Sequence, residues 1–207
     1  MSPADPSRSP AAPGPAAPGT TSSAAEHRTR LLDAMAEAAR ERPFAEITVA
    51  EIVRRARTSR RTFYQHFTDR EACLVALLQD RNTQTVASID AAIDHAAPTA
   101  DRIAQAITAW TEEVAADPGL TLAWIREVPG LGAAGRELTR NANDAFVALV
   151  SRTVDGVDEP DPERLPLVLV LVGGLRELVA RAVEDGQDVR HLVDPAVRAA
   201  LALLAPA

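Results

Sequence analysis

The sequence predicts an all-α protein, and three observations support this prediction. Alanine and leucine dominate an apolar content of 46%, aromatic residues make up only 3%, and no long alternation of apolar and polar residues suggests strands. Apolar residues recur instead at spacings of three and four, which places them on one face of a helix. At 207 residues, the chain can bury a sizeable core in one domain or two small ones.

The first part of the chain divides into a tail and a helix. Residues 1–25 are rich in proline, alanine, glycine and serine. Such a segment buries too little apolar area to fold, so we expect it to be disordered. A helix is predicted over 26–41 because apolar residues there recur at helical spacing. The residues of this apolar stripe are Leu31, Leu32, Met35 and Ala39.

Two helix starts lie eleven residues apart in the next stretch. Thr48 and Glu51 have the spacing of a capping box and open a helix predicted over 49–56. Ser59 is the second N-cap candidate, directly before a short basic helix over 60–66. Two short helices joined by a tight turn form a helix-turn-helix, whose second helix enters the major groove of DNA.

A helical wheel divides the second helix into a core face and a polar face. Phe63 and Phe67 lie four residues apart and face the core. The polar surface and its flanks consist of Arg60, Arg61, Thr62, Tyr64, Gln65 and His66. Arginine can bond guanine, glutamine can bond adenine, and the threonine methyl can contact the thymine methyl. Tyr64 and His66 can donate hydrogen bonds to phosphates.

The net charge of −7 conceals a basic segment. Residues 26–70 carry a net charge of +3, whereas residues 71–207 carry −10. Six arginines and one acid, Asp69, fall within residues 52–70. A small basic patch on an acidic body favours localised contact with DNA. A solvated basic helix in an ordinary bundle is the alternative, but it does not explain the two caps around so tight a turn.

The segment from about 26 to 75 resembles the DNA-binding domain of the TetR family of transcriptional regulators. The resemblance rests on the motifs Ile47-Thr48-Val49, Ser59-Arg60-Arg61-Thr62-Phe63-Tyr64-Gln65-His66-Phe67 and Asp69-Arg70-Glu71. It implies base contacts by Arg60, Arg61, Thr62 and Gln65, and phosphate contacts by Thr48, Tyr64, His66 and Arg70. Two departures lie in the turn, where the family's glycine and apolar residue are replaced by Arg57 and Thr58.

The resemblance also implies a homodimer with a three-helix DNA-binding head over 26–72 and a helical ligand-binding body over 73–207. Further helices are predicted by their apolar spacing at 69–97, 99–116, 118–127, 133–154, 163–185 and 190–205. The last two resemble the helices with which the family dimerises, so we expect Gly173, Gly174 and Leu178 at the interface. The large aromatic residues Trp110, Trp124 and Phe146, with Asn143, are the candidates for an effector pocket.

Enzyme signatures are weak. Gly130-Leu131-Gly132-Ala133-Ala134-Gly135 matches a dinucleotide fingerprint, but that motif requires a strand before it and a helix after it. Pro129 precedes it, and a junction between helices explains it better. The four histidines show no metal-ligand spacing with one another or with the lone Cys73. We therefore expect no catalytic residue, metal or cofactor, and Cys73 as a small buried residue.

Together these features predict a transcriptional regulator, and the resemblance implies a repressor that a small-molecule effector releases. Its expected partners are a pseudo-palindromic double-stranded operator, a second copy of the chain and an unidentified effector, without a membrane. The single cysteine and the lack of an apolar leader fit the cytoplasm. Two alternatives stay open: a helical binding protein that does not regulate transcription, and a nucleotide-dependent enzyme.

Overall fold

The computed structural model describes residues 20–157, 162 and 164–204. Across these residues the chain forms nine α-helices and three short 3₁₀ turns, without a strand, which confirms the predicted all-α class. The helices are α1 Thr20–Glu41, α2 Val49–Arg55, α3 Arg60–His66, α4 Arg70–Ala91, α5 Thr99–Ala116, α6 Pro118–Glu127, α7 Gly132–Asp155, α8 Leu165–Glu184 and α9 Val193–Leu204. The 3₁₀ turns are Phe44–Glu46, Val128–Leu131 and Val189–Leu192.

Helices α1, α2 and α3 and the first half of α4 enclose the core of the N-terminal head. All four predicted stripe residues of α1 are buried, and Ile52, Phe63 and Leu74 bring apolar side chains from the other three helices. Helix α2 begins where the Thr48 hydroxyl accepts a hydrogen bond from the Glu51 amide, and α4 begins where Asp69 accepts one from Ala72. These caps satisfy amides that have no partner within the helix.

The core of the head continues into the body. Cys73, Leu77 and Leu78 of α4 lie in it, together with Leu120 of α6 and Leu138 of α7. The predicted boundary between residues 72 and 73 therefore falls within the first turn of a helix that both parts share. In the body, α5 packs against α4, α7 and α9, and α8 packs against α6, α7 and α9.

Three helix boundaries differ from the prediction. Helix α1 starts at Thr20 and so includes part of the predicted tail, whose residues 1–19 lie outside the described chain. Helix α4 ends at Ala91 because Asp94 forms its own turn, in which its carboxylate accepts the Ala96 amide and Gln105 accepts the Asp94 amide. A 3₁₀ turn that Asp188 caps precedes α9.

None of the helices in the described part of the chain combines the length and the apolar character that crossing a bilayer requires.

Candidate nucleic-acid interface and internal cavity

Local hydrogen bonds and two aromatic side chains position α3. The Ser59 hydroxyl accepts a hydrogen bond from the Thr62 amide at 3.0 Å, and the Phe67 amide donates to the Phe63 carbonyl at 2.9 Å. Phe63 and Phe67 are buried with their ring centroids 5.7 Å apart, as the helical wheel predicted. Because this face is anchored, the opposite face of α3 points away from the head.

The outward face of α3 carries most of the predicted base contacts. Arg60, Arg61 and Gln65 are exposed, and 58% of Tyr64 is accessible although its ring meets Phe63 edge to face at 5.4 Å. Thr62 is half-buried, with its hydroxyl 2.9 Å from that of Ser59, and His66 is half-buried as well. The face therefore offers guanidinium, amide and hydroxyl groups on one convex surface.

The turn before α3 contains a left-handed arginine. Arg57 has a φ of 50°, and it is the one residue other than glycine with positive φ among the described residues. The Arg57 amide donates to the Arg54 carbonyl and the Thr58 amide donates to the Val53 carbonyl, which is the Schellman pattern of a helix end. This geometry explains why glycine is the expected residue at this position.

The basic patch divides into internal and free arginines. Arg55 joins α2 to α1: its guanidinium donates to Glu41 on α1 and to Glu51, and these hydrogen bonds raise its pKa. Arg70 donates from Nη1 to the carbonyls of Phe44, Ala45 and Ile47 at 2.6–3.0 Å. The exposed guanidiniums of Arg54, Arg57, Arg60 and Arg61 form no such bond within the described chain.

The predicted phosphate contacts lie along the edges of this surface. Thr48 is exposed at the start of α2, but Glu51 turns to Arg55 and Arg42, so the reciprocal bond of the predicted capping box is absent from the described structure. Arg70 also stacks its guanidinium 4.6 Å above the Phe44 ring, which gives it a structural role in the loop between α1 and α2. Its role as a phosphate contact stays a prediction.

A cavity of about 200 Å³ lies in the body. Helices α4, α5, α6, α7, α8 and α9 all contribute to its mainly apolar wall. Three of the four predicted effector residues line it: Trp110, Trp124 and Phe146. Asn143 lies outside the lining, and its Oδ1 is buried without a hydrogen-bond partner in the described chain.

One charged residue in the wall was missed by the sequence analysis. Arg176 on α8 lines the cavity, four residues after Val172, which lines it too. It is half-buried, its pKa is lowered by burial, and it forms no hydrogen bond or ion pair with the described residues. A lone arginine on the core-facing side of an apolar helix was the signal available in the sequence.

The cavity and the head share side chains. Leu78, Leu120 and Trp124 line the cavity and pack into the core of the head. At the same junction, the Nε of Arg40 on α1 donates to both carboxylate oxygens of Asp117, at 2.9 and 3.0 Å. Asp117 caps α6 and lines the cavity, so its carboxylate touches the head, the helix and the cavity wall.

Two of the three predicted dimer residues, Gly174 and Leu178, lie on an open apolar strip of α8, and Gly173 is exposed beside it. Leu167, Val170, Gly174 and Leu178 recur at helical spacing, and all four are exposed, with Val170 at 62% and Leu178 at 44%. A Cβ added to Gly173 or Gly174 meets no atom within 4 Å. Within one chain, this side of α8 therefore has no partner among the described residues.

The remaining motifs have structural explanations. Gly130 lies in the 3₁₀ turn between α6 and α7, and Gly132 and Gly135 lie in the first turn of α7. As favoured from the sequence, this described stretch is a helix junction and contains no strand of the kind that the dinucleotide motif requires. Gly135 admits the Val128 carbonyl, which would lie 2.0 Å from a Cβ there. Cys73 is buried as predicted, and burial raises its thiol pKa to about 12.

Comparison with solved structures shows the same fold in several regulators. The fatty acid degradation regulator FadR from Bacillus halodurans is 20% identical, with a TM-score of 0.71 over 85% of this chain and 94% of that chain. A TetR transcriptional regulator from Rhodococcus sp. RHA1 is 19% identical, with a TM-score of 0.70 over 87% and 96%. FadR from Bacillus subtilis in complex with stearoyl-CoA is 17% identical, with a TM-score of 0.69 over 86% and 99%.

The family comparison concerns the head. Comparison with curated protein sequences gave no match. The family model of bacterial regulatory proteins of the tetR family matches residues 31–77, which include α2, α3, the turn at Arg57 and the start of α4. Residues 31–77 are therefore similar to the head of the tetR family of bacterial regulatory proteins, and the described chain shares its fold with the solved regulators above.

Proposed function

We propose that the protein is a homodimeric repressor that binds a two-fold symmetric DNA operator through α3 and leaves it when a small molecule fills the cavity. The observation that carries this proposal is the set of side chains shared by the cavity and the head: Leu78, Leu120 and Trp124. A ligand that moves these side chains also moves the core on which α3 rests.

The DNA contacts follow from the outward face of α3. Arg60, Arg61, Thr62 and Gln65 are the proposed base contacts because they lie on or beside the one face that the core leaves open. Thr48, Tyr64, His66 and Arg70 are the proposed phosphate contacts, and the free guanidiniums of Arg54 and Arg57 add positive charge beside them. In a dimer, two copies of α3 would enter successive major grooves about 34–36 Å apart.

Dimerisation is proposed through the apolar strip of α8, packed against its copy together with α9. Symmetric pairing covers the same strip on both chains, which is the usual arrangement of a two-fold dimer. Gly174 in the strip and Gly173 beside it permit close approach of the two α8 helices. Glu177 and Arg181 flank the strip and form a pair at 2.9 Å, so the edge of the interface is polar.

Release follows from differential binding. A ligand changes the operator affinity only as far as it binds the free and DNA-bound conformations differently. Helix α4 begins beside α3 and lines the cavity with Leu78 and Ile89, so it is the proposed connection between the two sites. The stearoyl-CoA complex of the FadR structure from Bacillus subtilis is an example of an organic ligand with this fold.

The test starts with selection of binding sites from a random duplex DNA library with the full-length protein. We expect enrichment of a two-fold symmetric sequence whose binding constant falls steeply with salt. Replacement of Arg61 or Gln65 by alanine should relax selectivity at individual base pairs, by about 1–3 kcal/mol for each lost contact. Binding is measured by fluorescence anisotropy of the selected duplex.

The matched control is Arg136→Ala, which removes an exposed arginine on α7 far from α3 in the sequence. It should leave the operator affinity unchanged. The proposed base contacts by the outward face of α3 would be contradicted if no sequence were enriched. An equal loss of operator affinity in the Arg136→Ala and Arg61→Ala variants would contradict them as well. The same assay with an excess of a cavity ligand tests release, because a repressor of this type loses affinity for its operator.

A further inference from the structure

The charged groups in the cavity wall differ in how far they are satisfied within the chain. Four of them are ionisable: Arg81, Glu113, Asp117 and Arg176. Asp117 has the Arg40 guanidinium as its partner, and Glu113 accepts a hydrogen bond from the Ser88 hydroxyl at 2.6 Å. Arg81 is exposed and lies close enough to Asp117 to lower the pKa of that carboxyl. Arg176 alone of the four is half-buried without a partner among the described residues.

An arginine in this position favours an anion. A guanidinium keeps its charge at any physiological pH and presents five N–H donors in a planar fork. Removing it partly from water is unfavourable unless an acceptor replaces the lost hydration. The two carboxylates of the wall do not supply that acceptor, because their hydrogen bonds go to Arg40 and Ser88.

The rest of the wall selects the body of the ligand. Apolar groups dominate it, including the indoles of Trp110 and Trp124 and the ring of Phe146. Burial of apolar surface against such a wall is favourable in proportion to the area removed from water. A ligand that satisfies both parts has an apolar body and an anionic group at one end.

Resting on the function proposed above, we infer that the cavity binds an amphipathic organic acid whose carboxylate pairs with Arg176 and whose apolar body lies against Trp110, Trp124 and Phe146. A carboxylate fits one guanidinium fork with two parallel hydrogen bonds. A phosphate monoester, which carries nearly two negative charges, would leave charge unpaired at a single arginine and would be repelled by Glu113 and Asp117.

The two tryptophans make this inference directly measurable. Trp110 and Trp124 are the only tryptophans of the chain, and both line the cavity. Intrinsic tryptophan fluorescence therefore reports on the occupancy of the cavity. The full-length protein is titrated, without DNA, with four probes of equal chain length: decanoate, decyl phosphate, decan-1-ol and decyltrimethylammonium. We expect decanoate to bind most tightly, by at least about tenfold over the alcohol, because it gains a charge-assisted bond.

Three variants locate the anion. Arg176→Met keeps an unbranched side chain without charge. It should lower the affinity for decanoate at least about tenfold and leave the affinity for decan-1-ol nearly unchanged. Arg176→Lys keeps the charge without the planar fork, so its affinity for decanoate should lie between those of the unmodified protein and Arg176→Met. Arg136→Met, at an exposed position on α7 outside the cavity, should bind all four probes like the unmodified protein. Circular dichroism confirms that each variant keeps its helical content.

Several results would overturn the inference. The inference is wrong if the protein binds decanoate and decan-1-ol with equal affinity. It is also wrong if the Arg176→Met variant binds decanoate as tightly as the unmodified protein does, or if decyl phosphate or the ammonium probe binds most tightly. The outcome is separable from that of the proposed function. If decanoate binds through Arg176 but the protein stays on its operator, release is wrong and the ligand class stands. If the protein binds its operator and no probe changes its tryptophan fluorescence, the ligand class is wrong and the proposed DNA binding stands.

Discussion

Arginine residues of similar sequence context have different roles in the head. Arg55 and Arg60 lie five residues apart, yet one holds α1 and α2 together and the other points to solvent. Arg70 caps the carbonyls of the loop that leads into α2. The positive charge available to DNA is therefore smaller than the six arginines of the basic segment suggest, and it is concentrated around α3.

The backbone at Arg57 leads to a prediction at the same scale. A left-handed conformation costs a residue other than glycine about 1–2 kcal/mol, and glycine loses about 0.5–1 kcal/mol through chain entropy. We expect Arg57→Gly to raise the free energy of unfolding by roughly 0.5–1 kcal/mol, measured by urea denaturation followed by circular dichroism. If Arg57 also contacts a phosphate, the salt dependence of operator binding decreases by about one counterion.

Gly186, at the end of α8, provides a comparison for the stability effect of Arg57→Gly. Gly186 has a φ of 67°, and the amides of Gly186 and Gln187 donate to the Val183 and Ala182 carbonyls in the same Schellman pattern. Gly186→Ala should therefore destabilise the protein by about 1 kcal/mol. A loss of stability in Arg57→Gly would show that the arginine side chain contributes more than its backbone strain removes.

At the scale of elements, α6 depends on a single carboxylate. Asp117 caps the helix by accepting the Leu120 amide at 3.2 Å, and it holds α1 through Arg40. Burial raises the pKa of this carboxyl, but the hydrogen bonds from Arg40 and Leu120 outweigh that effect and lower it. Asp117 thus both caps the start of α6 and holds α6 to the head.

Two substitutions separate these roles. Asp117→Asn keeps a capping oxygen and removes the charge, so we expect the free energy of unfolding at neutral pH to fall by about 1 kcal/mol. Asp117→Ala also removes the cap and should cost about 1 kcal/mol more. Both are measured by urea denaturation.

The pH dependence provides the internal control. Because the pKa of Asp117 is lower in the folded state, its contribution is present above the unfolded value of about 3.9 and is lost as the pH falls through the folded value. The stability difference between the unmodified protein and Asp117→Asn should thus be constant near neutrality and shrink below about pH 4. A difference that persists in acid would contradict the ion pair as its source.

At the scale of the whole molecule, the proposed dimer through α8 and the proposed operator binding through α3 depend on each other. A symmetric operator needs two copies of α3, and the strip is the apolar surface through which we propose that two chains meet. Leu178→Glu places a charge in this strip, so we expect the dimer to dissociate and operator affinity to fall. Analytical ultracentrifugation measures the first effect and fluorescence anisotropy the second.

A matched variant controls for the added charge. Val157 is 47% exposed, close to the 44% of Leu178, and lies outside the strip. Val157→Glu should leave both the oligomeric state and the operator affinity unchanged. A Leu178→Glu protein that remains a dimer would place the interface elsewhere.

Much of the secondary structure was predictable because its determinants are local. The predicted bounds of α3, α5 and α6 agree with the structure, since Ser59, Pro98 and Asp117 mark their starts within one or two residues. The end of α4 was not predictable in this way. It depends on Gln105, eleven residues beyond Asp94, which accepts an amide of the turn.

The cavity was predictable only in part. Bulky aromatic residues among the middle helices pointed to Trp110, Trp124 and Phe146, which do line it. Asn143, the polar candidate, does not line the cavity, and Arg176, which does, was not among the candidates. Which side of a helix faces the cavity depends on the packing of α4 to α9, and a helical wheel of one segment does not contain that information.

The sequence by itself determined the fold class, the helix-turn-helix and the division of α3 into a core face and a polar face, because caps and apolar spacing act within a few residues. The tertiary structure decided which arginines remain free, since the partners of Arg70 lie 23–26 residues away and Glu41 lies 14 residues from Arg55. It also decided that Arg176 faces a cavity without a partner. These outcomes follow from contacts between distant segments, where burial and hydrogen bonding are settled only once the helices pack.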